Sequence, residues 1–279
     1  MYKIIIDSCG ELTEDMKKAN FVSVPLILQI NGEDIVDDET FDQLSFIKKV
    51  AESAEGPKSA CPAPGVYLEA MEGEEEHVYA VTLSANLSGS YNSAIVAKEM
   101  FEAENEGSNK KIYVFNSRSA SIGETLIGLK IAECEEAGMD FDAIVDTVEK
   151  YIDSQNTVFV LENLETLRKT GRISKQKEMI ASILNIKPVM GATPVGTIEQ
   201  WTQARGMASA LVKMAESILK VTPDPENRIV AISHCNCPNR AEELKKRLLE
   251  RATFKDIIIL DTRGVSTMYA NDGGVIMVM

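Results

Sequence analysis

The sequence predicts a two-domain α/β protein whose N-terminal half is a doubly wound, mostly parallel sheet. Three observations carry that expectation. The chain has 279 residues, too many for one small core and a length suited to two medium domains. In its first half, short apolar runs alternate with amphipathic stretches, the pattern left by parallel strands joined through crossover helices. The texture then changes near residue 155, which sets expected domains of 1–155 and 156–279.

Tyr2 to Ile6 reads as a buried strand ending in the turn Asp7-Ser8-Cys9-Gly10, and a short helix is expected near Leu12 to Ala19. Phe21 to Ile30 and Glu33 to Asp37 have strand character and flank Asn31-Gly32, two residues that tolerate positive φ and so signal a type I′ hairpin. Helical spacing returns over Phe41 to Ser53. A proline-bounded loop, Pro57 to Pro64, precedes a short helix at Gly65 to Glu72. Val78 to Leu83 is a second core strand, and the small-polar loop Ser84 to Ser93 opens a helix over Ala94 to Ala103. Lys111 to Phe115 repeats the unit, running through Asn116-Ser117-Arg118-Ser119-Ala120 into a helix from Gly123 to Ala137. Two such units gather their loops at the carboxyl ends of the strands, where a doubly wound sheet places its ligand.

The helix Phe141 to Ser154 closes this half. Beyond it, strands are expected at Thr157 to Leu161, Ile186 to Met190, Thr197 to Ala204, Arg228 to Ser233, Asp256 to Leu260 and Gly274 to Met279. Helices are expected at Leu164 to Lys169, Lys177 to Leu184, Met207 to Lys220 and Arg240 to Glu250.

Composition narrows the function classes. With 44% hydrophobic and 26% charged residues, the chain buries a core without metals or disulfides. Forty-three acidic residues against 29 basic ones leave a charge of −14, which repels phosphate backbones and anionic membranes and argues against nucleic-acid binding. The first residues lack the basic and apolar regions of a signal peptide, and no apolar run reaches the length of a membrane span. Cys9, Cys61, Cys134, Cys235 and Cys237 are odd in number and irregularly spaced, as expected of reduced thiols in the cytoplasm.

The segment Leu83 to Ala94 is the most informative. Ser88 and Ser90 with Gly89 sit where a strand gives way to a helix, so hydroxyls and free N–H groups converge with the positive end of a helix dipole, an arrangement that binds an anion. The plainer alternative is that either serine is only an N-cap. Two further polar loops, Pro57-Lys58-Ser59-Ala60-Cys61-Pro62-Ala63-Pro64 and Asn116 to Gly123, add hydroxyls. His234-Cys235-Asn236-Cys237 clusters soft ligands, but neighbours on a strand point to opposite faces and no second cysteine pair completes a tetrahedron, so no metal is expected. His77, within an acidic run, reads as a solvated histidine. No Walker-type loop or G-x-S-x-G elbow occurs.

Asp7-Ser8-Cys9, the proline loop, Leu87-Ser88-Gly89-Ser90-Tyr91-Asn92-Ser93-Ala94, Asn116-Ser117-Arg118-Ser119, Leu167 to Ser174 and Asn185-Ile186-Lys187-Pro188 occur in the order found in the DegV family, which the chain resembles along nearly its whole length. The resemblance implies an N-terminal α/β domain and a C-terminal α+β domain with a lipid site between them. It further implies a non-catalytic, cofactor-free carrier of one long-chain fatty acid, whose carboxylate is presented to a separate fatty acid kinase. By position, the carboxylate donors fall on Ser59, where a threonine is usual, and on Ser88, with the N–H of Gly89 beside it. Cys61 and Asn86 are further candidates for the pocket. Met268 stands where many members carry a histidine that reaches the carboxylate, and Thr267 or Tyr269 offers a substitute donor. Arg172, in a loop, would engage the kinase or pair with an internal carboxylate, with structural pairing preferred. The competing function is a serine-dependent enzyme acting on a small carboxylate or acyl substrate, with a serine of the 84–93 loop as nucleophile; with only His77 and His234 present, it lacks an evident general base.

Overall fold

A computed structural model describes residues 1–53, 55–173 and 185–279. From the N-terminus come β1 (Tyr2–Asp7), α1 (Glu14–Lys18), β2 (Phe21–Val24), β3 (Ile27–Ile30), β4 (Glu33–Val36), α2 (Gln43–Glu52), β5 (Lys58–Ala60) and α3 (Pro64–Met71). Then follow β6 (His77–Thr82), α4 (Ser90–Glu104), β7 (Lys111–Asn116), α5 (Ile122–Glu136) and α6 (Phe141–Ser154). The rest comprises β8 (Thr157–Val160), α7 (Glu165–Lys169), β9 (Ile186–Ala192), β10 (Ile198–Arg205), α8 (Met207–Val221), β11 (Ile229–His234), α9 (Pro238–Leu249), β12 (Asp256–Asp261), α10 (Gly264–Ala270) and β13 (Val275–Val278). The helix expected at Lys177 to Leu184 lies outside the described residues.

Strands β2, β1, β6 and β7 form a parallel sheet in that order. Its strands read as unbroken apolar runs because both faces are covered. In β1, Ile4 and Ile6 pack with Ile127, Ile131 and Ile144 of α5 and α6, while Ile5, pointing the other way, packs with Tyr67, Ala94 and Ala97 of α3 and α4. Each such aliphatic side chain contributes about 1.5–3 kcal/mol on burial. The chain leaves β1 for β2 on one side and returns as β6 on the other, so β1 and β6 bound a topological switch point whose carboxyl-end loops form a crevice.

A second, six-stranded sheet has the order β10-β9-β8-β13-β11-β12, antiparallel except between β11 and β12. The apolar C-terminal run lies at its centre as β13, between β8 and β11. Gly191 of β9 allows the Trp201 ring to lie flat on the strand, since a Cβ there would meet the ring at 2.1 Å. Gly191→Ala is therefore expected to lower stability by about 2 kcal/mol in chemical denaturation; an unchanged midpoint would show that the indole moves freely.

Pro25 divides the expected strand Phe21 to Ile30. Without an N–H it cannot continue the ladder, so β2 stays in the parallel sheet while β3 forms a small antiparallel sheet with β4 and β5. The β3–β4 turn has Asn31 at φ 52° and Gly32 at φ 78°, as the hairpin signal requires. Two local expectations change, and one helix is added. Lys58 to Ala60 is an edge strand rather than part of a rigid loop, α4 begins at Ser90 rather than Ala94, and residues 264–270, given no element above, form the helix α10. His77 is not solvated: its Nδ1 lies 2.7 Å from Glu135 Oε1 and its ring 5.1 Å from that of Phe141.

The two main sheets meet through α5, whose Ile122 and Leu126 pack against Ala231 and Val278 of β11 and β13. A second junction is polar. Asp37, beyond β4, accepts the N–H groups of Gly264 and Val265 at 2.8 Å each and so caps α10. Among the described residues no helix is long and apolar enough to cross a membrane.

Candidate functional site

The crevice at the β1/β6 switch point continues into a cleft between the two main sheets. Its space, open mouth included, is about 730 Å³. Leu83, Phe159, Leu161, Leu167, Ile198 and Ile276 supply apolar walls, and α10 adds Val265, Tyr269 and Ala270.

Most of the hydroxyls that line the cleft are engaged with protein, the Tyr269 hydroxyl being the loosest at 3.4 Å from Ser59 Oγ. Ser119 Oγ and Thr157 Oγ1 lie 2.6 Å apart, Ser121 Oγ donates to Glu11 Oε1 at 2.8 Å, and Ser266 Oγ donates to the Cys9 carbonyl at 2.9 Å. Thr197 Oγ1 lies 2.8 Å from Thr193 Oγ1, and Arg118 is paired with Asp153 at 2.7 Å. With these groups satisfied, the wall presents mainly carbon, and a flexible alkyl chain is the chemistry that such a wall admits without leaving a buried dipole unpaired.

At one end, the strand β5 and the start of α4 come together. Ser59 Oγ, on β5, is 3.4 Å from the Tyr269 hydroxyl of α10. Cys61 packs so closely on Gly89 that a Cβ there would lie 2.9 Å from its Sγ, and the thiol is 3.9 Å from Ser93 Oγ. Ser88 Oγ accepts the Ser90 N–H at 3.2 Å and lies 3.0 Å from Ser90 Oγ. The plainer reading of Ser88 thus holds in part: it bonds the first turn of α4. It also stands half-buried at the positive end of that fifteen-residue helix.

Arg172 lines the cleft. Its Nε donates to the Leu87 carbonyl at 3.1 Å and its Nη1 to the Thr170 carbonyl at 2.7 Å. The expected pairing with an internal carboxylate is corrected: the partners are backbone carbonyls, and among the described residues no carboxylate faces it.

Of the predicted residues, Tyr269 and Arg172 line the cleft; Ser59, Cys61, Ser88 and Gly89 lie beside its lining rather than in it, and Met268, Thr267 and Asn86 are turned to other partners. Met268 is 1% exposed in a cluster with Leu26, Leu28 and Phe46. Thr267 Oγ1 donates to the Thr262 carbonyl at 3.2 Å and sits 2.8 Å from Thr262 Oγ1. On a helix, successive residues do not share a face, so Tyr269 reaches the cleft while Met268 and Thr267 turn inward. Asn86 donates to the Val195 carbonyl at 2.6 Å, and Ser84 to that of Gly196 at 2.8 Å, tying the β6–α4 loop to the β9–β10 turn.

Sequence reasoning missed a cluster of buried acids behind the cleft. Glu11, Glu124, Asp7 and Asp37 are each at most 1% exposed. Burial pushes Glu11 up to about 7 and Asp37 up to about 6, opposed by hydrogen bonds from Ser121 and from the Val265 N–H respectively. Burial and the neighbouring Asp7 push Glu124 well above the ordinary carboxylate range. A carboxylate directly after a buried strand run, as in Ile4-Ile5-Ile6-Asp7, is the sequence signal that pointed there. Asp7, Cys9 and Glu124 bring three potential ligand atoms within 4.8 Å. In the His234-Cys235-Asn236-Cys237 segment, His234 Nδ1 accepts the Cys237 N–H at 3.3 Å and lies 3.0 Å from Asp261.

A family model described as "Uncharacterised protein, DegV family" matches residues 1–278. The chain belongs to the DegV family. It is 33% identical over 279 residues to a DegV domain-containing protein of Streptococcus pneumoniae, covering 99% of this chain and 98% of that one. The structure is similar to that of a DegV protein from Ruminococcus gnavus refined with vaccenic acid, at 51% identity and a TM-score of 0.96, covering 100% and 99% of the two chains. It is also similar to the Streptococcus pneumoniae fatty acid kinase (Fak) B3 protein loaded with linoleic acid, at 32% identity and a TM-score of 0.90, covering 99% and 98%. The parallel sheet and the separate mixed sheet are those of DegV structures, and the family expected from the ordered motifs is the one found.

Proposed function

We propose that this protein is a non-catalytic carrier that buries the chain of one long-chain fatty acid in the cleft and presents its carboxylate at the Ser59, Ser88 and Gly89 end to a separate fatty acid kinase. The observation that carries this reading is the cleft wall itself, in which most of the lining hydroxyls are spent on protein and carbon faces the ligand. Fatty acids on two DegV relatives support it. Each buried methylene contributes about 0.8 kcal/mol, and each charge-assisted hydrogen bond to the carboxylate about 1.5–3 kcal/mol. The tail therefore dominates affinity and the hydroxyls set orientation.

Tyr269 takes the donor role that Met268 cannot fill, since its hydroxyl stands beside Ser59. Arg172, free of carboxylate partners among the described residues, supplies positive charge at the same end and a contact for the kinase. The domain boundary falls between residues 155 and 156, after α6, and the carrier works in the cytoplasm, where its five free cysteines stay reduced. For a serine enzyme the geometry offers less support, because both imidazoles are engaged elsewhere, His77 with Glu135 and His234 with Asp261.

Protein purified from bacteria is expected to carry a fatty acid detectable by extraction and mass spectrometry. Ser59→Ala and Ser88→Ala are each expected to weaken binding about tenfold or more. Purified protein that repeatedly proves empty and takes up no added fatty acid would sink the proposal. Turnover by the purified protein alone, abolished by Ser88→Ala, would establish the enzyme instead.

A further inference from the structure

Glu124 lies in the first turn of α5, fully buried, and neither of its carboxyl oxygens has a hydrogen-bond partner among the described residues. Gly10 lets this helix approach the β1 turn, since a Cβ at Gly10 would sit 3.0 Å from that of Glu124. The groups facing Glu124 from neighbouring elements are Asp7 and Cys9, both within 4.8 Å by their ligand atoms, Glu11 from the same turn and Tyr67 from α3. None is a cation.

A buried glutamate with no counter-charge, and facing only the weak Cys9 thiol and the Tyr67 hydroxyl as donors, is strongly disfavoured as an anion. Two adjacent carboxyls without a cation resolve this by sharing a proton, and the better-solvated member keeps the charge. Asp7 is that member. Its Oδ2 accepts the Leu83 N–H at 2.9 Å and its Oδ1 the Cys9 N–H at 3.1 Å. Glu124 has no comparable donors, so the proton resides there.

We propose that Glu124 is a neutral positioning acid whose O–H bonds Asp7, and that the pair fixes the loop from Leu83 to Ser90 and hence the Ser88 hydroxyl. Asp7 holds the first N–H of this loop, that of Leu83, and the carbonyl of Ser84, one residue on, accepts the N–H groups of Leu87 and Ser88 at 2.9 and 3.0 Å. Loss of the Asp7 anchor displaces Ser88 through two linked turns. The functional half of the inference rests on the reading of Ser88 as a headgroup ligand, whereas the shared proton does not.

Infrared spectroscopy tests the proton directly. At a pH about two units above the Glu11 value of about 7, where Glu11 and Asp37 are ionised, the wild type is expected to keep the carbonyl band of a neutral carboxylic acid, and Glu124→Gln to lose it. Gln retains a neutral donor and is expected to bind fatty acid as the wild type does, while Glu124→Met weakens binding about tenfold. Absence of the band, its survival in Glu124→Gln, or equal weakening by both variants overturns the proposal. So does stoichiometric divalent metal in the wild type that disappears in Glu124→Gln, which would make Asp7, Cys9 and Glu124 a cation site. If Ser88→Ala leaves binding intact while the band behaves as expected, the headgroup reading fails and the acid pair stands.

Discussion

Ala192→Phe is expected to cut affinity for linoleic acid by about a hundredfold while leaving a short acid such as octanoate nearly unaffected. Ala192 ends β9 and lines the cleft, and the adjoining backbone is held by pairing of Met190 and Gly191 with Phe159 and Val158 of β8. A phenyl ring at that position takes the space of three or four methylenes, and at about 0.8 kcal/mol each the loss is about 3 kcal/mol. Overpacking at a half-buried strand end costs less, so the fold survives. Titration of fatty acids of graded length is the measurement. An equal loss at every length would place Ala192 away from the chain, and no loss at any length would mean the acyl group lies elsewhere.

Glu11→Gln is expected to remove a decline in stability of about 3 kcal/mol between pH about 4.5 and 7. The sign follows from the raised folded-state value. Between those pH values the folded chain holds a proton that the unfolded chain has released, so the stabilisation is complete below about 4.5 and lost as pH rises through about 7. Glu11 is buried with Ser121 donating to its carboxyl, so its ionised form lacks the hydration it has in the unfolded chain. Asp37 shifts in the same direction and leaves a residual slope in the variant. Urea midpoints at mildly acidic and mildly alkaline pH measure the difference. A slope identical in Glu11→Gln and wild type would assign the pH dependence to other groups.

Both expectations concern residues that the sequence does not single out, and the reason is physical. Ile4-Ile5-Ile6 announces a strand covered on both faces, because only burial on both sides tolerates an unbroken apolar run, and Asn31-Gly32 announces a hairpin because few other pairs adopt two positive φ angles. Ser88 was legible for a similar local reason: a hydroxyl between a strand and a helix faces a dipole end wherever the fold places it. Ser59 was read in a loop by resemblance, and the structure places it on β5, its hydroxyl beside that of Tyr269.

The cleft wall was not legible. Phe159, Leu161 and Ile276 carry the same pattern as core residues, and whether an apolar side chain meets another side chain or an open cleft depends on how two sheets are set against each other. The different placement of Met268 and Tyr269 is of the same kind. One residue of helical rotation sends the first into the Leu26, Leu28 and Phe46 cluster and the second beside Ser59.

By itself, the sequence determined the parallel sheet, its polar loops at the strand ends and the family, because alternation, turn chemistry and motif order are properties of neighbours along the chain. The tertiary structure alone decided which hydroxyls are spent, that Arg172 faces the cleft rather than a carboxylate, and that Asp7, Glu11, Asp37 and Glu124 are all buried. Those outcomes depend on groups tens to hundreds of residues apart, and neither periodicity nor composition records which distant partner a buried polar atom meets.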